Sequence, residues 1–155
     1  MNDRIAGIAR GLAQYGRMRK ANITDIDAAR EAGFPIQLLD FYTEFEPEDC
    51  LEHKQRIWSI QNALVENHDA VPGCALFPHG YVVFASTLRG DAYCIDTNIT
   101  DEAGRHPIVI YSHEVIDEDA TLGLILKNRV EVAGSLEQFL EQFSNGTLNE
   151  EPSYG

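Results

Sequence analysis

The chain has 155 residues, 44% of them hydrophobic and 24% charged, the balance of a globular domain and not of a fibrous or disordered chain. At this length about 70% of the unfolded chain's surface is buried on folding, so a core forms without disulfides or structural metals. Twelve Lys and Arg against 25 Asp and Glu leave a formal charge of −13, which disfavours direct contact with nucleic-acid phosphates or anionic lipid and favours fast association with a basic partner.

In chain order, residues 1–20 hold five basic side chains and one acid, net +4, whereas the remainder holds seven bases and 24 acids, net −17. Ile5, Ile8, Leu12 and Tyr15 fall at helical spacing there, weakened by Gly7, Gly11 and Gly16, which predicts a frayed basic amphipathic helix. Docking on the acidic body of the protein is the simplest role for it. Thr24 and Asp27 have capping-box spacing, so a helix is expected from there to Gly33. Pro35 opens a second helix with Leu38, Phe41, Tyr42 and Phe45 as its core stripe, and Glu46 to Asp49 end it. The stretch to Trp58 is open between strand and helix, and Ser59 caps a short helix reaching His68.

From Val71 the pattern turns to strands: Cys74–Phe77, then Tyr81–Ser86, which pairs across Leu88–Gly90 with Asp91–Asp96, and then Pro107–Ser112. Residues 113–130 carry no clear period. Ser135 opens a last helix with Leu136, Phe139, Leu140 and Phe143 on its apolar side, and residues 146–155 read as a disordered tail. The order helices, sheet, helix predicts an α+β fold, an antiparallel meander of about four to six strands flanked by N-terminal helices and a C-terminal helix.

No phosphate cradle, dinucleotide fingerprint, nucleophile elbow or HExxH helix occurs in the sequence. Cys50, Cys74 and Cys94 fit neither a disulfide framework nor a zinc pattern, which points to reduced thiols and a cytoplasmic protein. No run reaches the ~18 apolar residues of a membrane span, and no signal peptide opens the chain. His106 and His113 bracket one strand, too far apart to share a metal. A small hydrolase using Cys94 and His113, or Ser112 and His113, is the enzymatic alternative, with a buried core thiol favoured for Cys94. The acids Asp117, Glu118 and Asp119 lack the spacing of a calcium loop and suit a solvated or protein-docking surface. Trp58, the only tryptophan, fits either a core or an interface anchor.

Taken together, Ala32-Gly33-Phe34-Pro35 and its helix, Trp58-Ser59, Gly90-Asp91-Ala92-Tyr93-Cys94-Ile95-Asp96, Pro107-Ile108-Val109, and Val132 through Leu140 make the chain resemble the SUKH superfamily of Smi/Knr-like domains over residues 24–143. In the hairpin, Gly90 supplies a tight turn and the alternation after it sends Tyr93 and Ile95 to one face. The resemblance implies a single α+β domain over residues 21–145, no catalytic residues, no metal and no cofactor. It also implies a protein partner: bacterial members of the superfamily neutralise toxin domains. The expected function is thus a cytoplasmic immunity protein that occludes a basic, nuclease-type toxin, with a regulatory scaffold domain as the alternative. The expected contact residues are Trp58, Asp91, Tyr93, Asp96, Glu114, Asp117, Glu118 and Asp119, with a turn-forming role open for Asp91 and a core role for Tyr93.

Overall fold

The computed structural model describes residues 3–12, 18–47, 50–52 and 55–155. Tyr15, Gly16, Glu48 and Asp49, on which the sequence reading placed part of a helix and its breaking segment, lie outside the described residues. A short ribbon pairs β1 (Met18–Arg19) with β2 (Glu46–Pro47). The main sheet has six strands: β3 (Cys50–Glu52), β4 (Gln55–Ile57), β5 (Tyr81–Thr87), β6 (Ala92–Asp96), β7 (Ile108–Tyr111) and β8 (Val130–Ala133). They follow one another in space as in sequence, each antiparallel to its neighbour. The fold is the expected α+β meander, at the upper end of the expected strand number.

The helices are α1 (Asp3–Leu12), α2 (Ile23–Ala32), α3 (Ile36–Glu44), α4 (Ile60–His68), α5 (Gly73–Leu76), α6 (Leu122–Lys127) and α7 (Leu136–Asn145). Strand alternation sorts the sheet's side chains between two layers. Val82, Phe84, Tyr93, Ile95, Ile108 and Ile110 meet α1 to α4 and α7 in the larger core. Tyr81, Val83, Ala92, Cys94, Val109 and Tyr111 form a smaller one with α5, Ile116 and α6 on the opposite face. Tyr93 and Ile95 share a face, as the alternation requires.

Local chemistry fixes the helix ends. Asn22, not Thr24, caps α2: its Oδ1 accepts from the Thr24 N–H at 2.7 Å, so the expected box at Thr24 and Asp27 is not the one used. Gly33 ends α2 in the left-handed region, φ 95°, and Pro35 starts α3 as expected. Ser59 Oγ and Ser135 Oγ accept from the N–H groups three residues on, at 3.2 and 3.1 Å. The basic N-terminal helix is docked on the acidic body, the simplest role its sequence suggests, with its apolar side in the core. Ile5, Ala9 and Leu12 of α1 are fully buried, and Arg4 bonds Glu137 at 3.3 Å and pairs with Glu141, both on α7.

Three segments depart from the sequence reading. Cys74–Phe77 is helical, not extended: α5 runs into a 3-10 turn at Phe77–His79. A four-residue apolar run does not distinguish the two periods, and the close approach of α5 to α4 decides it. A Cβ on Gly73 would stand 1.9 Å from the Glu66 carbonyl oxygen, so only glycine admits that packing. Residues 113–130, without a readable period, contain a turn anchored by buried Ile116 and then α6, capped by Thr121. The final residues, expected to be disordered, lie against the body without forming a helix or strand. Leu148 and Pro152 are buried, Asn149 O accepts from the Tyr93 hydroxyl at 2.9 Å, and Ser153 Oγ donates to Asn128 Oδ1 at 2.8 Å.

Burial pushes the ionisation of Tyr42, Tyr93, Tyr111 and the Cys94 thiol above their ordinary ranges. Their folded-state pKa values are raised, so the stability they contribute is complete below the unfolded thiol value of about 8.5 and is lost as pH rises past it. Each group that ionises only in the unfolded chain removes about 1.4 kcal/mol per pH unit. Urea unfolding midpoints should therefore be flat from pH 7 to 8 and fall steeply above pH ~10, where tyrosines join the thiol. A midpoint unchanged at pH ~11 would contradict the burial of these hydroxyls.

Candidate functional site

The two faces of the sheet are covered unequally. Among the described residues, five helices lie over the larger core, whereas the second face has only α5, its 3-10 turn, the turn around Ile116 and α6. The strand register carries a row of side chains across this face: Arg56 opposite Ser86, Ser86 opposite Ala92, and Ala92 opposite Tyr111. Two small residues in the middle of that row leave a depression. The result is a trough of about 290 Å³ bounded by Arg56, Trp58, Glu66, Val71 and Leu88 and floored by Val83, Ser86 and Ala92. A second depression of about 640 Å³ lies between the 3-10 turn and α6, where Ile99, Leu122 and Leu126 are exposed beside Arg129.

Trp58 is held by its backbone from two sides. Its N–H donates to Phe84 O at 2.9 Å, and its carbonyl accepts from the Tyr42 hydroxyl at 3.0 Å. The partly buried ring packs against both cores, and the Arg56 guanidinium lies over it, 5.2 Å from the centroid. The indole Nε1 is buried and meets no acceptor. Glu66, half-buried on α4, has its carboxyl held above the usual range by desolvation.

The exposed acids occupy the turn that follows β7. Glu114, Asp117, Glu118 and Asp119 all face solvent while Ile116 between them is buried against the second-face core. Backbone and side-chain bonds order this display: Ile116 N donates to Ser112 O at 3.0 Å, and Asp119 N to Asp117 Oδ1 at 2.9 Å. Asp91 ties the turn to the β5–β6 hairpin, its Oδ1 lying 2.9 Å from His113 Nδ1 and 3.2 Å from His113 N. Gly90 of that hairpin lines the trough. The acidic turn and the Trp58 trough therefore belong to one face.

Three expected contact residues lie inside the protein. Asp91 is 1% exposed and bonds His113 as described. Tyr93 is fully buried, its ring edge-on to Phe139 at 5.1 Å. Asp96 is 1% exposed, accepting from Arg129 Nε at 2.9 Å and from Asn98 N at 3.1 Å. These side chains hold the hairpin and its flanks in place. Sequence reasoning also passed over Arg56, Glu66 and Leu88. Arg56 and Trp58 stand two residues apart at a strand end, a parity that was available; the approach of Glu66 from α4 was not.

The catalytic alternatives find no geometry. Cys94 is fully buried in the smaller core, and burial together with Asp96 pushes its thiol up, away from the thiolate a nucleophile requires. Ser112 is 1% exposed and its Oγ accepts from Glu114 N at 3.1 Å, so that hydroxyl is not presented to a substrate. Among the described residues no three His, Cys, Asp or Glu side chains converge to hold a metal ion. Nor is any helix among them long and apolar enough to cross a membrane.

An antiparallel meander with a thick helical layer on one side and a thin, indented cover on the other defines an α+β domain whose accessible features are surfaces. Residues 19–142 match the model of the SMI1 / KNR4 family (SUKH-1), and the chain belongs to that family. The match begins after α1 and stops within α7, so α1 and the C-terminal strap are packed additions to the matched core. No curated protein and no solved structure matches the chain.

Proposed function

We propose that this protein is an immunity-type binding domain that neutralises a cognate toxin by covering the toxin's active surface, and that it does so in the cytoplasm without chemistry of its own. The observation that carries the reading is the exposed row Glu114, Asp117, Glu118 and Asp119 beside the Trp58 trough, on a chain of charge −13. A nuclease toxin is basic where it grips phosphate, and an acidic face both steers the encounter and competes for that grip. Family membership supports a binding role, because the resemblance implies protein recognition with no cofactor. The buried Cys94 agrees with it.

The test mixes the full chain with each toxin domain encoded beside its gene, reading heat of binding and toxin activity together. One toxin should bind at one-to-one stoichiometry and lose activity. Its association rate should fall roughly tenfold when Asp117, Glu118 and Asp119 are replaced by Asn, Gln and Asn, since rim charges act mainly on encounter. Failure of every such toxin to bind at low salt would remove the proposal.

A further inference from the structure

We propose that two copies of this chain join through the depression between the 3-10 turn and α6, the Leu122–Leu126 ridge of each copy seated in the depression of the other. The sequence of α6, Leu-Gly-Leu-Ile-Leu-Lys, is apolar on both sides of the helix. Ile125 is fully buried and Leu124 packs on the smaller core, whereas Leu122 and Leu126, one turn apart, are 46% and 56% exposed. A helix that is apolar all round is ordinarily covered all round. Ile99 in the β6–β7 connection, 47% exposed, faces this ridge across the depression of about 640 Å³.

Charge decides what covers it. Asp96 is the one acid in the lining, and Arg129 neutralises it, Nε lying 2.9 Å from Oδ2. Among the described residues no unpaired carboxylate lines the depression, so a basic toxin meets nothing there that attracts it. Two chains of charge −13 repel each other wherever their acids face, and a self-contact avoids this only where its centre is uncharged. This patch meets that condition. Ridge and hollow also lie side by side on one surface, so a two-fold axis between them fills both hollows at once. β5 starts at the depression with Tyr81 and reaches the trough at Thr87, roughly 20 Å along the strand. A dimer built here leaves the Trp58 trough open to a toxin.

Sedimentation velocity of the full chain, loaded from about 10 µM to about 1 mM, reads the association directly. The weight-average mass should climb from 17.3 kDa towards twice that value. Because the contact is apolar and the copies carry like charge, raising sodium chloride from ~50 to ~500 mM should tighten the dimer about fivefold. Leu126→Lys on the ridge and Ile99→Lys on the facing wall should each weaken it about tenfold or more. Both positions are exposed, so thermal melts of the two variants should match the native chain. Leu88→Lys, at the rim of the trough, should leave the dimer as it is. A mass of 17.3 kDa at every loading overturns the proposal, as does a dimer that salt loosens or one that both lysine variants keep. A dimer lost in Leu88→Lys and kept in Leu126→Lys would place the contact at the trough and overturns it equally.

Discussion

Phe139→Ala should lower the stability of the protein by about 3–5 kcal/mol, the range for truncating a buried phenylalanine. The ring is fully buried on α7, where that helix crosses the middle of the sheet. It meets Phe84 of β5 edge-on at 4.8 Å and Tyr93 of β6 at 5.1 Å, so one side chain joins the last helix to the two central strands. Truncation leaves a cavity beside the Phe84 and Tyr93 rings, whose strands are pinned on both sides, and a pinned site relaxes little. Urea unfolding read by Trp58 fluorescence checks this, with an unchanged slope and a lowered midpoint expected. A loss under ~1 kcal/mol would mean that the α7 contact contributes little to the fold.

Asn67→Leu should destabilise by about 2–5 kcal/mol, because two buried backbone groups lose their partners at once. β4 covers the edge of β5 only as far as the pairing of Ile57 with Ala85 and the bond from Trp58 N to Phe84 O. Beyond that point the strand edge is covered by a side chain of α4. Asn67 Nδ2 donates to Val83 O, and Val83 N donates to Asn67 Oδ1, both at 2.8 Å, so the amide stands in for the missing strand. Nδ2 also donates to Ala63 O at 2.7 Å. Asn67→Asp retains the acceptor but sets a carboxylate against two carbonyl oxygens, which should raise the new group's folded pKa above the unfolded ~3.9. Its penalty is then full at neutral pH and relieved as pH falls through the raised value. Thermal melts of the two variants at pH 7 and ~5 should show the aspartate variant gaining on the leucine variant in acid.

Much of the architecture was legible because it rests on local signals. Leu38, Phe41 and Tyr42 mark α3, Gly90 marks the hairpin, and Ser135 with Phe139 and Phe143 marks α7; all do what their spacing requires. The misreadings fall where tertiary contact decides. Nothing in Cys74 to Phe77 shows that Gly73 will abut the Glu66 carbonyl and bring a helical turn down on the sheet. β8 is four residues long with a half-exposed pattern, too short to announce itself. Asp91, Tyr93 and Asp96 were among the expected contact residues, with a turn-forming role open for Asp91 and a core role for Tyr93. Here β6 is the third strand from the β8 edge and the fourth from the β3 edge and is covered on both sides, so every one of its residues is buried. The C-terminal strap was unreadable for a related reason: Asn149 and Ser153 are fixed by single bonds to Tyr93 and Asn128, which carry no period.

Trp58 and the acidic turn were visible as residues but not as neighbours. Their placement on one face depends on Asp91 bonding His113, a contact across 22 positions, and on the smallness of Ser86 and Ala92 in register with Arg56. The trough exists because of that register, and a sequence alone cannot place α4 beside it.

The central claim is that this protein works by pressing its thinly covered sheet face against a basic protein. Amide hydrogen exchange of the full chain, alone and saturated with its cognate toxin, tests this most directly. Slowed exchange confined to β4, the Leu88–Gly90 turn and residues 113–119, with α2 and α3 unchanged, is the result predicted. Protection confined to the α2–α3 surface, with the Trp58 face exchanging as in the free chain, would contradict it.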